Sequence, residues 1–416
     1  MYCVCNSVYS FHYWDESILI YESLYKYVEV SGLYACILEL VSNKKLTIDV
    51  LYLEVCKSFG VDSQDSDIRK AFDKVMNNLE RKQYVILSEV YSAITLSGEK
   101  GFRYPFSILM EVTDKCNLKC KHCYRDAKYE EFKEMSWDDF TQIVAVFKNK
   151  TPNLIMSGGE LTTHSRISQI LQVANDSFNV FLLSNGLMIS RIPEEELKKV
   201  NYIQISMYGY DEKSYYLFTG ARDCFQKIEK CIHMVNRLKI DHVVVIIVTK
   251  ENFKNIRRII ECLVSLNVRR VAFGLSIPLG RAKESDKHLE LSQNEKEMVV
   301  QEIKGLDYEY KGKIDFLPYT GLAFKGNELN AIDERLIFKC SAGKTNVVID
   351  PNAFVRPCHM IPRDAFVTYS VNEYIRDIKK HRIKDYSNEI LKYEQSLMLE
   401  NRSVRDMKCA GFCNLQ

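Results

Sequence analysis

No long hydrophobic run occurs in these 416 residues. The longest aliphatic stretch, Val243 to Val248, falls far short of the ~20 residues that a bilayer-spanning helix needs. No secretory signal pattern is visible, because the first basic residue is Lys26 and no charged region stands ahead of an apolar one. The expected location is therefore the cytoplasm. An excess of one charge sign is missing too. The chain has 57 Lys and Arg against 55 Asp and Glu, which gives no reason to expect nucleic acid or a membrane as the main partner. Internal repeats and low-complexity linkers are also lacking. With 46% apolar and 27% charged residues, the composition is that of an ordinary globular protein and rules out a mainly disordered or collagen-like one. The length predicts two or three domains. What the chain has in quantity is cysteine, with fourteen residues. In a reducing compartment, so many thiols point to metal ligands before disulfides, provided that their spacing agrees.

Residues 1–100 read as a small α+β domain. Short β-like stretches at Val8 to His12, Ile18 to Tyr21 and Tyr25 to Val30 precede a helix from Gly32 to Val41. A second helix follows over Leu51 to Phe59, and a third carries Ile68, Phe72, Val75 and Leu79 at helical spacing, with Asp65 or Ser66 placed to cap it. The order suggests a winged helix-turn-helix shape. Ten basic against fourteen acidic residues in this segment, a net charge of −4, argue against a phosphate-binding surface. Cys3 and Cys5 fall in what reads as a flexible amino terminus.

Residues 101–312 alternate β-branched runs with amphipathic helical segments, the pattern of parallel strands with crossover helices. Strands are expected at Phe106 to Val112, Leu154 to Ser157, Val180 to Leu183, Tyr202 to Ser206, Val243 to Thr249 and Val271 to Leu275. Six β/α units make a partial barrel or an open doubly wound sheet, and either one places chemistry at the carboxyl ends of the strands. Residues 313–416 hold the last four cysteines, β-like pieces around Val347 to Ile349, and a charged helical stretch from Asn372 to Glu400.

The sharpest signal is Cys116, Cys120 and Cys123 in CNLKCKHCY, directly after the first of these six strands. Three thiolates in an eight-residue loop can hold three irons of a [4Fe-4S] cube and leave the fourth iron open to a ligand. A zinc site would want a fourth Cys or His nearby. His122 is the one candidate, and its place beside Cys123 makes joint coordination awkward. An accidental group of structural cysteines is the other alternative.

This CxxxCxxC spacing at a strand end resembles the signature of the radical S-adenosylmethionine (radical SAM) superfamily. Ser157, Gly158, Gly159 and Glu160, after the second strand, match the family's GGE motif, which holds the methionine amine of SAM; taken alone, SGGE could be a tight turn. Ser184, Asn185 and Gly186 end the third strand and Ser206 the fourth. They resemble positions that contact the ribose and carboxylate, although turn residues are common after strands. Arg281, in LGRA after the sixth strand, is placed like an arginine of related peptide-modifying enzymes, and Tyr124 is expected near the adenine. The resemblance implies that SAM chelates the open iron, that an electron from an external donor such as flavodoxin or ferredoxin cleaves it, and that the resulting 5′-deoxyadenosyl radical abstracts a substrate hydrogen. Iron-sulfur potentials span roughly −700 to +450 mV, and this step needs the low end. No catalytic acid or base is singled out.

The stretch CSAGKTNVVIDPNAFVRPC, from Cys340 to Cys358, resembles the start of the family's SPASM or twitch extension, in which a hairpin carries cysteines for an auxiliary cluster. With Cys409 and Cys413 it could hold one auxiliary iron-sulfur cluster. It departs from the pattern at Ala353, where the hairpin usually has glycine. One or two of these thiols could instead be structural. The amino-terminal domain resembles the PqqD-like element that captures the leader of a precursor peptide as an added strand, with Tyr25 to Val30 and the helix bearing Ile68 and Phe72 as its groove; a structural cap or regulatory winged helix is the bland alternative. The expected fold is thus α/β: a partial (β/α)6 TIM-like barrel with an amino-terminal winged-helix-like domain and a small carboxyl-terminal cluster-binding domain. The expected function is maturation of a ribosomally synthesised peptide by thioether formation. Epimerisation, carbon-carbon crosslinking and sulfatase maturation are alternatives, and an iron-sulfur winged-helix redox sensor is the non-enzymatic one.

Overall fold

The computed structural model describes residues 1–23, 26–125, 127, 130–276, 279–283, 289–317, 342–359 and 369–379. Cys340, Cys409 and Cys413, as well as Tyr25, lie outside them, as does most of the helical stretch expected over Asn372 to Glu400. The chain folds as two compact units, one built on Met1–Phe106 with Asn149–Pro152, the other on Ser107–Lys148 and Asn153–Ile375. No helix among the described residues is long and apolar enough to cross a membrane.

In the smaller unit, β1 (Tyr2–Cys5) is followed by an antiparallel meander of β2 (Ser10–Trp14), β3 (Ser17–Ser23) and β4 (Lys26–Val30). Asp15, with φ of 58°, makes the tight turn between β2 and β3. Helices Leu33–Asn43, Ile48–Phe59 and Ser66–Arg81 follow, and then β5 (Val85–Ser88). The third helix starts where the Asp65 carboxylate accepts a hydrogen bond from the Asp67 N–H at 2.8 Å. Its apolar residues at a spacing of three to four, Phe72, Met76 and Leu79, are buried against Ile37, Leu38, Leu51 and Val55. The amino terminus is not a flexible arm. Tyr2 to Cys5 pair antiparallel with Val85 to Ser88, and Cys3 and Cys5 are buried in the core of the unit.

The larger unit carries β6 (Ser107–Glu111), β7 (Asn153–Ser157), β8 (Asn179–Ser184), β9 (Tyr202–Met207), β10 (His242–Val248) and β11 (Arg270–Leu275). Each is parallel to its neighbour, and they stand side by side in chain order. A doubly wound sheet reverses its strand order at a switch point. Unbroken sequential order with right-handed crossovers keeps the helices on one side, the arrangement of a barrel wall. β12 (Asp315–Leu317) adds in parallel beyond β11. The far edge is less expected: β13 (Asn346–Ile349) lies parallel to β6, and β14 (Phe354–Arg356) and β15 (Tyr369–Ser370) continue antiparallel. The chain's late hairpin is thus seated beside the strand that leads into the three-cysteine loop. Its turn has Ala353 at φ of 58°, and the Asp350 carboxylate accepts from the N–H groups of Asn352 and Phe354 at 2.9 and 3.1 Å. The backbone there takes the left-handed form that glycine favours, which costs alanine about 1–2 kcal/mol.

Candidate active site

The three-cysteine loop begins five residues after β6. Cys116 and Cys120 are buried, Cys123 is half-buried, and none is in a disulfide. The Leu118 N–H points at Cys116 Sγ at 3.4 Å, a donor suited to a thiolate. Burial, followed by the nearby Glu160 carboxylate, pushes the Cys116 thiol up to about 12. Burial also raises Cys120 well above the ordinary thiol range, with the neighbouring cysteines adding to it. Without metal these groups are protonated at neutral pH, so loading a cluster would release protons. Among the described residues, no three His, Cys, Asp or Glu side chains converge on one ion. Thiolates on a cube each take a separate iron and need no such convergence.

The two glycines after β7 hold this loop in place. A Cβ on Gly158 would lie 2.3 Å from the Thr113 carbonyl oxygen, and one on Gly159 would lie 2.3 Å from that of Lys115. The missing side chains allow the Gly159 N–H to reach Thr113 O and the Glu160 N–H to reach Lys115 O, both at 2.8 Å. The motif resemblance assigns this turn to the methionine amine of SAM. In the structure, these glycines admit the backbone that enters the cysteine loop.

Glu160 is fully buried and fixed from several sides. Its Oε1 accepts from the Thr162 hydroxyl at 2.6 Å and the Ser184 hydroxyl at 2.8 Å, and its Oε2 from the Asn185 N–H at 2.7 Å. Burial raises its pKa, and the hydrogen bonds from Thr162, Asn185 and Ser184 oppose the rise. Asn185 Nδ2 also donates to Asn117 Oδ1 at 2.8 Å, inside the cysteine loop. The ends of β7 and β8 and the loop after β6 therefore form one hydrogen-bonded cradle. Arg281 joins the loop as well, donating from Nη1 to Cys120 O at 3.1 Å and from Nη2 to Ala127 O at 2.7 Å. Ser206 is half-exposed near the end of β9, and its carbonyl accepts from the Tyr215 hydroxyl at 3.4 Å.

Some neighbours were not legible as site residues. Tyr208 is stacked on Phe218, with ring centres 5.1 Å apart, and both rings contact His122. Burial, aided by Arg281, lowers His122 to about 3, so its imidazole is neutral at pH 7. Aromatic side chains in SMYGYDEKSYYLF were the available signal. Glu111, at the end of β6, is buried, forms an ion pair with Arg125 at 2.7 Å and accepts a hydrogen bond from Arg356 of β14. Burial pushes its carboxyl up, but the two guanidinium groups outweigh it and hold the pKa below the ordinary value. Tyr124 meets His359 edge to face, with ring centres 5.7 Å apart. Of the four late cysteines, only Cys358 lies within the described residues, half-buried two positions after Arg356.

Residues 110–263 match the family model of the radical SAM superfamily. They form a radical SAM domain, and the chain is an enzyme of that superfamily. The chain is 24% identical over 325 residues to the antilisterial bacteriocin subtilosin biosynthesis protein AlbA of Bacillus subtilis, an alignment that covers 76% of this chain and 69% of AlbA. It is 23% identical over 278 residues to the sporulation killing factor maturation protein SkfB of the same organism, covering 64% of this chain and 63% of SkfB. Other curated relatives are matched over about half of their length. Among solved structures, the chain resembles Streptococcus suis SuiB bound to precursor peptide SuiA, with a TM-score of 0.66 and 15% identity over 92% of this chain and 89% of that one.

Proposed function

We propose that this chain matures a ribosomally synthesised precursor peptide and that its reaction joins a substrate cysteine sulfur to a carbon of the same peptide. The observation that carries the reading is the single cradle formed by Cys116, Cys120 and Cys123 with the Gly158–Gly159–Glu160 turn, in a chain whose likeness to a bacteriocin biosynthesis protein extends well beyond its radical SAM domain. The three cysteines would hold the [4Fe-4S] cluster. Ser157, Gly158, Gly159, Glu160, Ser184, Asn185, Ser206, Tyr124 and Arg281 would form the SAM site. When bound, these groups supply reductive cleavage of SAM and hydrogen abstraction from substrate. The protein's own work is to orient and to exclude water. Glu160, locked by Thr162, Ser184 and Asn185, is a fixed acceptor for the SAM amine, and Arg281 ties the cysteine loop to the chain that follows it by donating to the carbonyls of Cys120 and Ala127.

In this reading, residues 1–100 bind the leader of the precursor by strand addition, with β4 and the helix Ser66–Arg81 as the groove. The described fold of the smaller unit and the likeness to SuiB, crystallised with its precursor peptide, support the assignment. Cys340, Cys358, Cys409 and Cys413 would carry one auxiliary cluster that binds the substrate thiolate or accepts the second electron. The left-handed Ala353 turn supports the hairpin part of this reading, and the other three cysteines lie outside the described residues. An external flavodoxin-like or ferredoxin-like donor in the cytoplasm would supply the electron. The test is thiol alkylation of the cognate peptide before and after reaction, read by mass spectrometry. A thioether consumes one alkylatable thiol per link. A modified peptide that still alkylates fully would overturn the thioether and favour a carbon-carbon link or epimerisation.

A further inference from the structure

One face of the parallel strands carries a polar group that the rest of the fold leaves unanswered. Gln204, in the middle of β9, is 5% exposed, and its Oε1 is buried with no hydrogen-bond partner among the described residues. Buried side-chain oxygens are nearly always bonded, so one that is not needs a reason. The register says which face it occupies. Gln204 stands opposite Leu183 on β8 and Val243 on β10, and Ser206 stands opposite Val245. Paired residues of adjacent strands point to the same side of a sheet, as do residues two apart on one strand. Gln204 and Ser206 therefore share the face on which Val243, Val245 and Ala272 form an apolar cluster with Tyr202 and Ile247. The alternate residues of β9, Ile203, Ile205 and Met207, are wholly buried on the side that the crossover helices cover. On the side of Gln204, by contrast, Leu183, Tyr202, Ser206 and Ile247 are only half-buried. This side is the inner wall of the barrel, and it is open to a ligand.

The chemistry of the wall narrows what that ligand is. The side chains that flank Gln204 across the strands, Leu183 and Val243, are apolar. Ser206 stands two residues further along β9, about 6.6 Å toward the carboxyl ends of the strands. A carboxamide accepts through its oxygen and donates through its nitrogen, which is the complement of a peptide bond with its N–H and C=O. A peptide bond brought against apolar side chains loses its water and needs such a partner. We propose that Gln204 is a substrate-binding residue, which pairs with one main-chain amide of the core peptide and so places the residue to be modified beside the site around Ser206. The proposal deepens the reading of the chain as a peptide maturase and rests on it. Recognition through the main chain fixes where the peptide lies without dictating the side chains on either side.

The test compares the full-length, anaerobically reconstituted chain with its Gln204→Met variant, which keeps the length of the side chain and removes both hydrogen-bonding groups. The probe is a candidate precursor peptide sought among the reading frames beside the gene, with a set of copies in which one main-chain amide of the core at a time is replaced by an ester. The variant should unfold in urea at a midpoint no lower than that of the wild type and should bind SAM equally well in equilibrium dialysis. Its kcat/KM for the peptide should fall about tenfold, the loss expected for one amide pair left unmade. At one ester position the wild type should lose a similar factor, and the variant should lose nothing further there, because the bond is already gone. Equal losses in both proteins at every ester position would overturn the proposal, as would an unchanged kcat/KM. A lowered unfolding midpoint would show that the carboxamide is satisfied within the fold, and weaker SAM binding would assign it to the cofactor; either result overturns the proposal too. A wild-type chain that cleaves SAM but leaves every candidate peptide unmodified would defeat the maturase reading itself, and the proposal with it.

Discussion

Replacing Gly159 by alanine tests whether the turn after β7 builds the cysteine loop. The added Cβ would lie 2.3 Å from Lys115 O, 2.6 Å from Asp114 O and 2.7 Å from Lys115 C. All three are backbone atoms, so no side chain can swing aside and the loop itself must move. Overpacking of this kind costs about 1–3 kcal/mol. Moving the loop also weakens the two 2.8 Å bonds that Gly159 and Glu160 make to Thr113 and Lys115, each worth about 1 kcal/mol. The expected loss is therefore about 3–5 kcal/mol. Gly220→Ala is the control, because Gly220 has φ of 69° with nothing within 4 Å of its Cβ position, and backbone strain alone should cost about 1–2 kcal/mol. Urea unfolding followed by Trp137 fluorescence, with Trp14 replaced by Phe, reads the larger unit. Iron per chain after reconstitution reads the loop. Gly159→Ala should lose both stability and iron, whereas Gly220→Ala should keep its iron. If Gly159→Ala unfolds no more readily than the control and carries full iron, the close approach is not what orders the loop.

Joint replacement of Cys116, Cys120 and Cys123 by alanine should abolish 5′-deoxyadenosine formation and leave an auxiliary-cluster signal; iron falling to zero would mean that the late cysteines are structural. His12 is buried, with its ring nitrogens on the Ser97 hydroxyl at 2.9 Å and Tyr104 O at 2.8 Å, and burial lowers its pKa to about 4. The unfolded chain takes up this proton first, so stability is full above the ordinary value of ~6.5 and falls by about 3 kcal/mol as the pH drops to 4. Trp14 fluorescence in a Trp137→Phe chain should show that loss, and His12→Asn should flatten it; an unchanged slope would clear His12 of the effect.

The barrel strands were legible because each is a short β-branched run that ends in polar or small residues, and the structure places them within about two residues of expectation. Sequential strand order was not legible, since periodicity says nothing of which strand neighbours which. The first strand was missed because Tyr2 to Cys5 look unremarkable until Val85 to Ser88 pair with them. The helix Glu212–Thr219 was missed because its aromatic-rich EKSYYLFT has no clean apolar stripe. At the site, the cysteine spacing and SGGE were plain to read, being local in sequence. The Glu111–Arg356 pair spans 245 positions, and only the parallel pairing of β13 with β6 brings its partners together. The glycines were legible as part of the SGGE motif, but which atoms use the space of their missing Cβ was not: it is backbone of the chain itself.

The most direct measurement is to incubate the reconstituted chain anaerobically with SAM, dithionite and a cysteine-containing candidate precursor peptide, sought among the reading frames beside its gene, and to analyse nucleoside and peptide together. The account predicts 5′-deoxyadenosine and a peptide lighter by two hydrogens for each link formed. Intact SAM with an unmodified peptide would contradict it.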